Sequence, residues 1–135
     1  MRNKTTVILR SALFVGVLYF LGVSIAHMFG IKVPFLFIYY NVPSTVYQDR
    51  IISILSFGWA VFFFFALADT DHTKAFLKPI LCAGGAALLG IAFINLTTDF
   101  HSLSPDSTPL AYWGQWLVLV IYFGLWAGAY LYSKK

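Results

Sequence analysis

Four long apolar runs punctuate the chain, and the polar residues gather between them. The first run extends over residues 11–30 behind a short N-terminal stretch carrying Arg2, Lys4 and Arg10. Further runs cover residues 51–68, 79–98 and 112–132, separated by a short polar segment and by a loop that holds Pro105 and Pro109 among Ser and Asp. A hydrocarbon core about 30 Å thick needs roughly 20 apolar residues per helix. Each run is of that order, so the pattern predicts four transmembrane helices.

Residues 31–50 break the rule. They are less apolar, with Pro34 and Pro43, Lys32, Asn41, Asp49 and Arg50 among the aromatics Phe35, Phe37, Tyr39, Tyr40 and Tyr47. Proline near both ends opposes a spanning helix, and amphipathic rings favour the headgroup layer. The segment is expected to be an interfacial hairpin or short helix between the first two spans. A strand over residues 35–40 would have no partner in lipid.

Composition agrees with the pattern. Hydrophobic residues make up 60% of the 135 and charged ones 10%, against roughly 25% charged in a soluble domain. Little is left for anything but a single membrane domain over residues 1–135. The predicted fold is all-α and integral to the membrane, a four-transmembrane-helix up-down bundle with short connections. A cleaved signal peptide is the competing reading of the first run, since Ser24-Ile25-Ala26 has a small-x-small pattern. An even number of spans accounts better for the remaining charges.

Charge sets the orientation. Arg2, Lys4, Arg10, Lys74, Lys78, Lys134 and Lys135 fall on one side, and only Lys32 and Arg50 on the other. By the positive-inside rule both termini are cytoplasmic, and the net charge of +4 reflects this asymmetry rather than nucleic-acid binding. Tyr112, Trp113 and Trp116 at one end of the last span, with Tyr130 and Tyr132 at the other, would anchor it in both interfaces.

At about 100° per residue, Gly84, Leu88, Ile91, Ala92, Asn95 and Asp99 share a face of the third span. Asp49, Ser53, Ser56 and Ala60 share one on the second, Gly16, Phe20, Ser24 and His27 on the first, and Gln115, Leu119, Tyr122 and Trp126 on the fourth. The polar members lie near one end of every span. Lipid cannot satisfy an amide or a carboxylate, so these faces are expected to turn inward and form an outward-opening polar vestibule above an apolar half.

The densest patch of candidate chemistry is Asn95-Leu96-Thr97-Thr98-Asp99-Phe100-His101. An Arg50 to Asp99 ion pair and an Asn95 to Gln115 hydrogen bond are its plainest structural uses. As a ligand site, the vestibule would offer Asn95, Asp99, Arg50, Gln115, Ser53 and Tyr47. For a metal, His27, Asp99 and His101, with Asp49 nearby, supply donors acceptable to zinc, iron or manganese, although their spacing is not a metal motif. Haem held by His27 and His101 has less support, because His101 lies in a loop. Ser53 or Ser56 with His27 and Asp99 lacks any nucleophile elbow. No cofactor is required by the sequence, Cys82 is expected to be buried packing, and His72 a solvated loop residue. Gly124-x-x-x-Gly128, on the face opposite Gln115, would suit contact with a second copy or a larger membrane complex. The small residues from Ala83 to Ala87 would admit a close neighbour.

Ile8-Leu9-Arg10 enters a first helix that ends at His27-Met28-Phe29-Gly30, Asp49-Arg50 opens the second, and Thr98-Asp99 leaves the third. In these features the chain resembles the broad DoxX-like group of small four-helix bacterial inner-membrane proteins. It implies a bacterial inner-membrane location, and some members of the group are linked to quinone-coupled sulfur oxidation. The leading functional expectation is a binding or accessory subunit holding a lipid-like or quinone-like ligand in the vestibule. The alternatives are a membrane oxidoreductase component or metal-dependent enzyme using His27, Asp99 and His101, and small-solute transport by a homodimer.

Overall fold

A computed structural model describes residues 4–34, 36–68 and 73–132. Phe35, Asp69, Thr70, Asp71, His72 and the terminal cations Arg2, Lys134 and Lys135 lie outside them. The described chain is helical: α1 (Lys4–Met28), α2 (Val46–Ala68), α3 (Thr73–Thr97), the single turn α4 (Phe100–Leu103) and α5 (Pro109–Tyr132). Four segments, Val7–Met28, Val46–Ala68, Ala75–Thr97 and Pro109–Tyr132, are long and apolar enough to cross a membrane. The chain is therefore a multi-pass membrane protein.

Every long helix starts earlier than the apolar runs do, and local chemistry explains two of the starts. Thr45 and Gln48 form a capping box ahead of α2: the Gln48 amide donates to Thr45 Oγ1 at 3.2 Å, and the Thr45 amide donates to Gln48 Oε1 at 2.9 Å. Tyr47, Asp49 and Arg50 consequently belong to the helix rather than to the interfacial segment. Pro109 opens α5, where its missing N–H costs nothing.

The third helix differs most from expectation. The apolar run opens at residue 79, but Pro79 lies inside the helix, since α3 begins at Thr73. The extra turn is held by packing, because Leu77 is completely buried beside Ile80. Burial of a leucine side chain is worth about 1.5–3 kcal/mol, which opposes the loss of one helical hydrogen bond at the proline.

Glycine ends α1. Gly30 takes φ 66°, its amide donates to the His27 carbonyl, and the Ile31 amide donates to the Ala26 carbonyl at 2.8 Å. This is a Schellman termination, and it turns the chain into a connector of successive turns over residues 31–45. Among the described residues there is no strand.

α1 packs on α2 and α5, and α3 packs on α5 and α2. Two apolar centres hold these contacts. One draws Leu9 and Leu13, Phe63 and Ala66, Leu77 and Ile80, and Trp126 and Ala129 from all four long helices, with Phe63 and Trp126 stacked at 5.8 Å. The other joins Val23 and Ala26 of α1 to Phe37 of the connector. Polar ties cross between helices as well: Tyr122 donates to the Ala12 carbonyl at 2.6 Å, and Trp116 Nε1 to the Leu88 carbonyl at 2.9 Å.

Small residues act where two elements nearly touch. The ring of Phe123 lies against Gly84 and Gly85, so the small segment of α3 accepts a side chain of α5. Gly16 is tighter, since an added Cβ would sit 2.2 Å from Phe63 Cδ1 and 2.9 Å from the Tyr122 hydroxyl. A Cβ added at Gly124 or Gly128 would meet no other element within 4 Å. Gly16→Ala should therefore lower the thermal unfolding temperature in detergent, with an overpacking cost of about 1–3 kcal/mol. Gly124→Ala should leave it level or slightly raised; equal behaviour of the two variants would contradict the packing described.

Candidate functional site

At one end of the molecule the last turn of α1, the first turn of α2 and the connector converge on Asp49. This carboxylate is 6% exposed. It accepts a hydrogen bond from His27 Nδ1 at 2.9 Å and from Ser44 Oγ at 3.0 Å to each oxygen. Lys32 Nζ lies 3.5 Å from its second oxygen and donates to Ser44 Oγ as well. A buried charge is tolerated when paired and hydrogen-bonded, and Asp49 is both. One turn further along, Ser53 donates to the Ser24 carbonyl at 2.8 Å, continuing the polar seam between α1 and α2.

The connector is fixed at its far side too. Phe37 packs against the His27 ring with centroids 4.1 Å apart. Tyr39 stacks on Phe100 and meets Tyr112 edge-on, both at 5.2 Å, and donates to Asn95 Oδ1 at 2.8 Å. Asn41 accepts from the Tyr112 hydroxyl and donates to the Asp106 carbonyl. Tyr112 is fully buried. The loop after α1 is thereby tied to α3, α4 and α5.

Beneath the connector runs a groove of about 370 Å³. Its wall is mostly apolar, from Val23, Leu36, Ile38, Val42, Ile52 and Ile91, and its polar side chains include His27, Lys32, Ser44 and Asp49. The arrangement offers an ammonium and an imidazole beside a greasy channel.

The residues proposed from sequence are distributed unevenly around this site. Asp49, Ser53, Ser56 and Ala60 form the buried face of α2 as the spacing predicts. Asp99 is exposed and caps α4, accepting from the Ser102 amide at 3.4 Å. Arg50 is exposed, and among the described residues it forms no ion pair with Asp99. The expected pair is replaced by Asp49 with His27 and Lys32. The reason is angular: adjacent helical residues point about 100° apart, so an inward Asp49 turns Arg50 outward. Tyr47 is 73% exposed.

The expected Asn95 to Gln115 bond is not made either. Tyr39 takes Asn95 Oδ1, while Asn95 Nδ2 and Gln115 Oε1 are buried without a partner. His101 lies beside Ser107 at 3.2 Å and His27 beside Asp49. Among the described residues no three His, Cys, Asp or Glu side chains gather as a metal group. Cys82 is exposed rather than buried. Lys32, Ser44, Phe37, Tyr39 and Asn41 were missed as site residues. A signal existed for Lys32, because a carboxylate on an apolar helix face demands a cation and that side of the chain holds only two.

No protein-family model, curated protein or solved structure matches the chain.

Burial, and secondarily the neighbouring Tyr112 phenol, push the Tyr39 hydroxyl up from the ordinary 10.0 to about 12. The proton is thus held more tightly in the folded state. The stability this gives is complete below pH 10, declines as the unfolded phenol begins to ionise, and is gone above about 12. Phenolate absorbance titrated in the intact protein, with Tyr39→Phe subtracted, should show one phenol ionising well above pH 10. A midpoint at the ordinary tyrosine value would refute the buried Tyr39 described.

Proposed function

We propose that this chain is a binding or accessory protein of the bacterial inner membrane that holds a lipid-like or quinone-like amphiphile in the groove under the connector. One observation carries the reading: an apolar channel of about 370 Å³ has a hydrogen-bonded Asp49, His27 and Lys32 cluster among its polar lining. Ligand pockets pair a hydrophobic lining with a few placed polar groups, and a membrane amphiphile has the matching division into tail and head. The polar contribution shifts from the Asn95, Asp99 and Arg50 set to His27, Lys32 and Ser44. Placement in the DoxX-like group is part of the same proposal and rests on the resemblance alone.

Native mass spectrometry of gently extracted protein tests the binding. A bound amphiphile should accompany the wild type and be lost from Ile52→Trp, which fills the groove from a side chain 40% exposed and so spares the core. A bound-lipid profile identical in both proteins would rule the reading out.

The same proposal includes topology: an up-down-up-down bundle with both termini cytoplasmic and the groove facing outward. The seven-to-two division of Lys and Arg supports it. A fluorescent reporter fused after Lys135 should be bright and a phosphatase reporter at the same place inactive. The reverse pattern would invert the orientation.

A further inference from the structure

The polar atoms in the groove are not equally available. Asp49 already accepts from His27 and from the single Ser44 hydroxyl hydrogen, shared between its two oxygens, and is paired with Lys32 at 3.5 Å. At 6% exposure little of Asp49 can reach a ligand. The hydroxyl hydrogens of Tyr19 and Tyr39 are committed to the Leu36 carbonyl and to Asn95. What remains is donor capacity. Lys32 donates one ammonium hydrogen to Ser44 and lies 3.5 Å from Asp49, which leaves hydrogens free, and its side chain is 38% exposed. His27 donates through Nδ1 to Asp49, which in the neutral ring leaves Nε2 an acceptor, so the free donor capacity belongs to Lys32.

Lys32 and Asp49 cancel in net charge, so a preference for an anionic head comes from the free ammonium hydrogens of Lys32 at the groove. The size of the groove adds a second constraint. A volume of about 370 Å³ lies near the lower end of the roughly 300–1,000 Å³ typical of ligand pockets, which suits one chain better than two.

We propose that the groove takes a single-chain amphiphile whose head is an oxyanion, a carboxylate or a phosphate ester, received by Lys32. Asp49 is the positioning residue that holds the Lys32 ammonium at the groove. This inference rests on the amphiphile-binding reading above and names its ligand chemistry. A cationic head would be repelled by the Lys32 ammonium, and a neutral head would forgo the charge-assisted bond.

The test is the binding of four probes of equal chain length to the full protein in a neutral detergent at neutral pH: hexadecanoic acid, hexadecyl phosphate, hexadecanol and hexadecyltrimethylammonium. The two anions should bind at least about tenfold more tightly than the alcohol or the cation, the scale of one charge-assisted hydrogen bond. Whichever anion binds better identifies the carboxylate or the phosphate source. Lys32→Gln should remove about tenfold of that preference, read as the ratio of acid to alcohol affinity within the same variant. Lys32→Arg, which keeps a cation beside Asp49, should retain the preference and guards against loss of folding. Equal binding of the acid and the alcohol, or an anion preference untouched by Lys32→Gln, overturns the oxyanion inference and leaves the amphiphile reading standing. If none of the probes binds and native spectra show no bound species, both fall together.

Discussion

A carboxylate at the edge of a membrane span must be surrounded by donors, and the placement of Asp49 imposes that requirement on everything near it. Lipid supplies none. The donors therefore come from His27 in the last turn of α1 and from Ser44 and Lys32 in the connector. Satisfying one side chain brings two helix ends together and bends the intervening fifteen or so residues back across them. The Schellman turn at Gly30 and the capping box at Thr45 make that reversal possible without stranding backbone groups, since each closes the orphan groups of its own helix end.

The second anchor of the connector is aromatic. Tyr39, Phe100 and Tyr112 meet pairwise within 5.2 Å, and the Tyr39 and Tyr112 hydroxyls reach Asn95 and Asn41. Rings of this kind combine apolar area with a polar tip, which suits a site where buried chain meets the headgroup zone. The connector is fastened by the carboxylate cluster on one side and the aromatic cluster on the other. The groove beneath it is walled by the connector and by residues of α1, α2 and α3.

Periodicity made the four spans and the inward face of α2 legible in the sequence, because Asp49, Ser53, Ser56 and Ala60 obey a helical repeat that burial then follows. The starts of α2 and α3 were less legible. Polar residues in the first turn of α2 read as loop until the Thr45 and Gln48 box is noticed, and the turn before Pro79 depends on burial of Leu77, which only tertiary packing supplies. Pairing choices were the hardest. Arg50 and Lys32 are equally good cations in composition, and only the rotation of α2, which turns Asp49 in and Arg50 out, decides between them. Asn95 was expected to bond Gln115, and the partner it took, Tyr39, belongs to a segment with no repeat from which to place it.

The long reach of the connector has a consequence for the order of events at the ribosome. A chain is made from its N-terminus, and early segments settle first. The carboxylate cluster can close once α1 and the first turn of α2 are in the bilayer. The bond from Tyr112 to Asn41 spans 71 residues and must wait until α5 has entered. The fastenings of the connector are thus ordered along the chain: the carboxylate corner needs only α1 and α2, the bond from Tyr39 to Asn95 needs α3, and the bond from Tyr112 comes last.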